Sequence, residues 1–290
     1  MNEPLKPVYL DEKLVEIRAD GHQDYRSKAL PTWCPGCGYF AMAEGFTQAL
    51  KRLGREPEEV VVVSGIGCAS RFPFFINAYG FHTLHGRTLP VATGVKTAND
   101  ALTVVAVGGD GDAFAIGGGH IPHAARRNLD ITYMVFDNGI YGLTKGQTSP
   151  TSVLGFTTPT TPYENGDEPL NPLMMLLSYR ASWIGQAYAG NPHHLTDMMA
   201  AAIAHRGFSY LHILSPCVTF DKTTRTYKNL GMMVRDLPAD HDRGNLLAAM
   251  GEAMKVDRPA LGVFYEEERP TLADVMDGIA DRARRGAAAE

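Results

Sequence analysis

Four cysteines are the first residues in this 290-residue chain whose types and spacing could do chemistry. Two of them lie in Trp33-Cys34-Pro35-Gly36-Cys37-Gly38. In such a Cys-x-x-Cys loop the glycines let the backbone fold tightly, so that two thiolates can converge. Cys68 and Cys217 stand singly, each in a turn with glycine or proline nearby. Three chemistries compete for this set. A zinc site would more often show two Cys-x-x-Cys pairs, and the second pair is missing. A thioredoxin-like redox pair needs only Cys34 and Cys37 and leaves Cys68 and Cys217 unexplained. An iron–sulfur cluster held by four dispersed thiolates uses every cysteine. Plain buried thiols would account for either single cysteine but suit the Cys-Pro-Gly-Cys loop poorly.

A second constellation is Gly109-Asp110-Gly111-Asp112, with Asn138 one predicted strand later. A carboxylate and an amide oxygen in adjacent loops are suitable ligands for Mg²⁺, which wants hard oxygens and shares them with substrate phosphates. Gly109 and Gly111 would let backbone N–H groups approach a pyrophosphate, and a helix beginning near Phe114 would offer its N-terminal dipole. The bland alternative is a pair of ordinary turns, because Asp-Gly and Asn-Gly are common turn dipeptides.

The elements that must position these residues alternate in kind. Apolar, mostly β-branched runs at 60–63, 103–107, 131–136 and 208–214 read as strands. Helical spacing marks 38–53, with Phe40, Met42, Phe46 and Leu50 on one face, and then 114–127 and 192–205. Strands alternating with helices predict an α/β fold, a parallel sheet with helices on both faces. In such sheets ligands bind beyond the carboxyl ends of the strands, which is where the glycine-rich and polar residues fall. Residues 1–30 read as an N-terminal arm and 31–219 as the cofactor-binding domain. Residues 220–290 form a C-terminal extension packed on that domain or on a partner. Within them 246–254 is amphipathic, 261–265 apolar and 266–268 acidic. The Ala-rich end, 282–290, is expected to fray. Residues 143–182 read as a long functional loop leading into a helix near 173–184.

Composition bounds the function classes. There are 27 basic and 32 acidic residues, for a net charge of −5, which argues against a nucleic-acid binder. With 44% hydrophobic residues the chain is neither disordered nor short of a core. No apolar run reaches the roughly 18 to 20 residues that span a bilayer, and no signal-peptide core opens the chain. The expected compartment is the cytoplasm, with reduced thiols and no membrane association.

Taken together, residues 33–38, 65–68, 84–87, 109–112, 139–151 and 215–219 resemble the β subunit of the 2-oxoacid:ferredoxin oxidoreductases. The likeness runs from about residue 31 to 219 and resumes near 262–273, and two independent cofactor sites agree in it. The resemblance implies a thiamine diphosphate-binding fold. It makes Cys34, Cys37, Cys68 and Cys217 the ligands of a [4Fe–4S] cluster. It gives Mg²⁺ to Asp110, Asn138 and the backbone carbonyl of Ile140, and the phosphates to Gly109, Gly111 and Asp112. Ile66, Gly67, Cys68, Ala69, Leu143 and Thr144 would line the thiamine. His85 belongs to a His-Gly-Arg stretch that resembles a cofactor-side loop; a hydrogen-bonded structural histidine is the equal alternative.

The chemistry implied is oxidative decarboxylation of a 2-oxoacid, with coenzyme A taking the acyl group and ferredoxin the electrons. The glutamate that activates the cofactor in this family is expected on a partner α subunit, in an αβ pair or its dimer, because none stands out here. Arg71 and Lys145 flank the expected thiamine site and could pair with a second substrate carboxylate. The stretches 68–73 and 143–147 look most like the 2-oxoglutarate-using branch; pyruvate or a branched-chain 2-oxoacid is the alternative. A non-redox thiamine enzyme with a structural zinc, or a non-catalytic assembly subunit, are the rivals from other classes.

Overall fold

A computed structural model describes residues 25–287. Most of the expected N-terminal arm, through residue 24, lies outside the described residues.

The described residues form ten strands: β1 (Val60–Ser64), β2 (Tyr79–His82), β3 (Thr103–Gly109), β4 (Ile131–Asp137), β5 (Ile140–Tyr141), β6 (Gln147–Thr148), β7 (Trp183–Tyr188), β8 (Phe208–Leu214), β9 (Arg235–Asp236) and β10 (Ala260–Glu266). Eight of them form one sheet in the order β2-β1-β3-β4-β8-β7-β10-β9. The first six in that order are parallel, and β10 joins β7 antiparallel. β5 and β6 form a small separate ribbon beyond β4.

Burial on both faces explains why the central strands are unbroken apolar runs rather than alternating ones. Every residue of β1, β4 and β8 is buried. Side chains still alternate between faces. Val60, Val62, Val105, Val107, Met134, Phe136, Leu211 and Ile213 point into one core. That core is closed by α1 (Tyr39–Arg52) and by a helix over Pro192–Ala204. Val61, Val63, Val104, Ala106, Tyr133, Val135, Phe208 and Tyr210 point into the other. Its cover is α2 (Thr88–Ala98), α3 (Ile121–Arg126) and α4 (Pro172–Ser178), followed, after the Pro192–Ala204 helix (α5) and α6 (Tyr227–Met233), by α7 (Leu246–Ala253). The chain closes with α8 (Leu272–Ala287).

The residues after 219 add β9 and β10 to this sheet and α7 to its cover. The chain from Tyr25 lies on the domain: Tyr25 is buried and Arg26 bridges to Ile76. Among the described residues no helix is long and apolar enough to cross a membrane.

Several expectations change. Residues 114–127 are not one helix. A π-helical turn over Asp112–Ile116, kinked at Ala115, passes through a short 3-10 turn into α3. The cause is the run Gly117-Gly118-Gly119 followed by Pro122, with Gly117 pressed so close to the Asp112 carbonyl that no Cβ fits. The long helix expected to face a pyrophosphate with its N-terminus is therefore not built. Strand β7 begins where the helix expected near 173–184 should end and runs on to Tyr188, and the described part of the end expected to fray is helical, through Ala287. Phe40 leaves the buried face of α1 and meets the edge of Trp33, while Tyr39 takes the core position.

Phe46 is fully buried, with its ring 5.3 Å from that of Phe72. Replacing Phe46 with alanine is expected to cost about 3–5 kcal/mol of unfolding free energy in urea titrations. A loss too small to resolve would mean that the α1 core is not packed as described.

Candidate active site

Four loops meet at the carboxyl edge of the sheet, and the strands that feed them, β1, β3, β4 and β8, are consecutive neighbours. The loop after β1 carries Cys68, that after β3 Asp110, that after β4 Asn138, and that after β8 Cys217. The Cys34–Cys37 loop comes from the segment before α1 and closes on itself, with the Cys37 N–H donating to the Cys34 carbonyl at 3.0 Å. Gly36 holds the turn at φ +79°, a conformation that favours glycine. Trp33 pins this loop to the next: its Nε1–H donates to the Cys68 carbonyl at 2.8 Å. Gly38 sits so tightly on Ser215 that a Cβ would clash with its Oγ, which brings the loop against the Cys217 turn. Gly142 lies between the remaining two thiols, its Cβ position 3.6 Å from Cys68 Sγ and 3.7 Å from Cys217 Sγ.

All four cysteines are free thiols. Burial, and then the neighbouring sulfurs, push Cys37 up to about 12. Burial, with Cys217 and Cys34 next, pushes Cys68 up to about 11. The thiols are thus gathered closely enough to oppose one another's ionisation. Among the described residues, however, no three His, Cys, Asp or Glu side chains converge tightly enough for a single metal ion.

Beside the thiols is a cleft of about 140 Å³. It is lined by Ile66, Gly67, Cys68 and Ala69 from the loop after β1 and by His85. Gly109, Asp110, Gly111 and Asp112 line it from the β3 side, with Asn138, Ile140, Leu143 and Thr144 from the β4 side. These expected residues are brought together on one cleft. Arg71 and Lys145 are not among its lining residues. Arg71 sits just beyond Cys68, half-buried in a 3-10 turn, and Lys145 is exposed in the turn after Leu143.

Asp110 is buried. Its Oδ2 accepts the Ser149 hydroxyl and, at 3.0 Å, that of Thr151, while Oδ1 accepts no hydrogen bond among the described residues. Burial first, and the neighbouring Asp137 carboxylate second, push its pKa up to about 7. Asp137 goes the other way. Burial would raise it, but the Arg225 guanidinium and His212 outweigh that and hold it well below the usual carboxylate range. Asn138 closes the turn, its Oδ1 accepting the Ile140 N–H at 3.2 Å.

The Asp112 side chain is fully engaged by other loops. Its Oδ1 accepts the N–H groups of Ile66 at 2.9 Å and Gly86 at 2.8 Å and lies 2.8 Å from His85 Nδ1. Its Oδ2 accepts the Thr88 hydroxyl at 3.1 Å. The carboxylate is spent on tying the loop after β1 to the His-Gly-Arg loop, so a phosphate would meet its backbone rather than its side chain. His85 lines the cleft and is hydrogen-bonded to Asp112.

Sequence reasoning missed Tyr39, Tyr141 and Gly142, which also line the cleft. Tyr141 covers Gly111 closely enough to exclude a Cβ there, and its hydroxyl donates to the Gly111 carbonyl at 3.2 Å. The tyrosine hydroxyl of Tyr39 is driven well above its usual range by burial and then by Asp110, Cys37, Cys68 and Cys217. Its place directly after the Cys-x-x-Cys-Gly turn was the available signal.

Both the sequence and the fold are matched among known proteins. Residues 65–213 match the family model of the thiamine pyrophosphate enzyme, C-terminal TPP binding domain. Residues 217–281 match the model for the C-terminal part of the pyruvate ferredoxin oxidoreductase β chain. The chain is 41% identical to the 2-oxoglutarate synthase subunit KorB of Archaeoglobus fulgidus, over 91% of this chain and 96% of that one. It is 40% identical to the 2-oxoacid:ferredoxin oxidoreductase subunit β of Saccharolobus solfataricus, over 81% and 82%. With the 2-oxoglutarate oxidoreductase subunit KorB of Mycobacterium tuberculosis the identity is 41%, over 79% of this chain and 62% of that one. Among solved structures, the 2-oxoglutarate:ferredoxin oxidoreductase of Magnetococcus marinus, with 2-oxoglutarate, coenzyme A and succinyl-CoA bound, superposes at a TM-score of 0.88. It is 45% identical, over 90% of this chain and 89% of that one. The cleft at the carboxyl edge therefore sits in a thiamine pyrophosphate-binding domain, and the chain belongs to the β subunits of the 2-oxoacid:ferredoxin oxidoreductases.

Proposed function

We propose that this chain, paired with an α subunit in the cytoplasm, converts 2-oxoglutarate and coenzyme A to succinyl-CoA and CO₂ and passes the electrons through a [4Fe–4S] cluster to ferredoxin. The balance is one 2-oxoacid and one thiol giving one thioester, one CO₂, one proton and two electrons, which leave singly. The observation that carries this reading is that Cys68 and Asp110 line one cleft.

The residues fit both groups. Asp110 is a buried carboxylate with an uncommitted oxygen and, among the described residues, no cation hydrogen-bonded to it, a charge that Mg²⁺ would balance. Asn138 Oδ1 keeps a second lone pair, and the Ile140 carbonyl completes the expected set. Gly109 and Gly111 present backbone to the cleft where a diphosphate would lie, while Ile66, Leu143 and Thr144 offer an apolar wall with one hydroxyl. When bound, thiamine diphosphate supplies the nucleophilic carbon and the electron sink for decarboxylation. Residues of this chain hold and orient it; the glutamate that activates it is expected from the α subunit. Ile66, Leu84, Ile116 and Leu143 are large apolar residues left exposed around the cleft mouth, a surface suited to that partner.

Burial and the neighbouring sulfurs oppose the ionisation of Cys37 and Cys68, and the irons of a cluster would supply the compensating positive charge. Cys34 is exposed, so such a cluster would lie near the surface, where an external carrier can take electrons. Arg71 and Lys145, near the cleft but outside its lining, are the candidates for a second substrate carboxylate.

The test is a panel of two variants in the anaerobically purified αβ complex. Asp110→Ala is expected to lose thiamine diphosphate and turnover while keeping a brown iron–sulfur chromophore. Cys37→Ala is expected to lose the chromophore and ferredoxin reduction. A colourless wild-type complex containing zinc would instead establish the non-redox reading.

Substrate choice is tested separately on the wild-type complex. Initial rates of ferredoxin reduction should be higher with 2-oxoglutarate than with pyruvate or a branched-chain 2-oxoacid. Faster turnover of pyruvate would overturn the substrate assignment and leave the cofactor sites intact.

A further inference from the structure

The hydrogen bonds that hold Asp110 extend into the segment between β8 and α6. The Thr151 hydroxyl lies 3.0 Å from Asp110 Oδ2 and 2.7 Å from Asp137 Oδ1, so one proton serves two buried carboxylates. Arg225 settles the competition. Its Nη1 donates to Asp137 Oδ1 at 2.5 Å and its Nη2 to the Thr151 carbonyl at 2.7 Å. His212 Nε2 faces the other Asp137 oxygen at 2.9 Å, and its Nδ1 lies 2.7 Å from Gln186 Oε1. The guanidinium also packs on Gly139, where a Cβ would lie 2.9 Å from Cζ. With φ +66° as well, that position admits only glycine, in the turn that carries Asn138.

Arg225 is itself delivered by a built turn. Asp221 accepts the N–H groups of Thr223 at 3.1 Å, Thr224 at 2.8 Å and Arg225 at 2.9 Å. Its own N–H donates to the Cys217 carbonyl at 3.0 Å. One forked cation thus clamps the loops of Asn138 and Thr151 together and is anchored to the loop of Cys217.

We infer that Arg225 is a positioning residue for the divalent cation of this site. By fixing Asp137 and the Thr151 backbone, it orients the Thr151 hydroxyl and so keeps the free oxygen of Asp110 aimed into the cleft. This rests on the assignment of Asp110 and Asn138 as cation ligands. A lysine could replace the charge but not the two-pronged geometry, because a point charge cannot hold two acceptors in a fixed plane.

The test measures Mg²⁺ affinity by titration calorimetry on the αβ complex, with thiamine diphosphate present in excess. Residues that support a metal ligand typically contribute about 10- to 100-fold in metal affinity, and Arg225→Leu is expected to weaken Mg²⁺ binding in that range. Arg225→Lys should fall between it and wild type. Thr151→Val, which keeps the shape and removes the shared hydroxyl, should weaken Mg²⁺ without moving iron content. Should Arg225→Leu fail to assemble, the lysine and Thr151 variants carry the test. Wild-type Mg²⁺ affinity in the folded variants, whatever happens to their melting temperature, overturns the inference and leaves the site assignment standing. Unchanged Mg²⁺ binding in Asp110→Ala overturns the assignment itself and this inference with it.

Discussion

Two carboxylates lie buried one hydroxyl apart at the carboxyl edge of the sheet, and they are compensated unequally. Asp137 has the Arg225 guanidinium on one oxygen and His212 on the other. Among the described residues, Asp110 is held by the hydroxyls of Ser149 and Thr151 alone. An ionised carboxylate removed from water without a cation is costly, and a second one close by raises the cost. Burial and that neighbour push Asp110 up to about 7, and in the proposed reading a divalent cation supplies the charge that keeps it ionised. Asp110 lines the cleft with one carboxylate oxygen uncommitted among the described residues.

The sulfur side follows the same logic in a different donor chemistry. Thiols that are buried and crowded resist ionisation until a metal centre takes the charge. Parallel strands place the two donor sets within reach of each other. Because β1, β3, β4 and β8 are successive neighbours, the loops that follow them emerge in order along one edge. Cys68 therefore shares its cleft with Asp110 and Tyr39. The Cys217 loop continues through Asp221 to Arg225, so the scaffold of one site is also a brace of the other. The proposed function depends on that adjacency, since decarboxylation releases an electron pair and an iron–sulfur centre would remove electrons singly.

What could be read from the sequence was what depends on short-range pattern. The four central strands announced themselves as β-branched runs ending in glycine, aspartate or proline, and their helices as apolar repeats. Strand β2 gave no such signal because it is an exposed sheet edge with the sequence Tyr-Gly-Phe-His. Strand β7 hid among residues whose apolar content also suited a helix. The ligand candidates were legible because cysteine pairs and a Gly-Asp-Gly after a strand are local features. The partners that set their environment were not. Thr151, His212 and Arg225 meet Asp110 or Asp137 only through the tertiary fold, across tens of residues of chain. Asp112 shows the limit most plainly: close to Asp110 in sequence, it faces a different loop and serves as a tie between two segments.

The most direct test of the adjacency of the two sites is a single-turnover experiment followed by electron paramagnetic resonance. The αβ complex, loaded with thiamine diphosphate and Mg²⁺ and held without ferredoxin, is mixed anaerobically with its 2-oxoacid and frozen. A reduced [4Fe–4S] signal appearing together with released CO₂ is the predicted result. Release of CO₂ with the iron centre still oxidised, or with no iron centre present, would contradict the account.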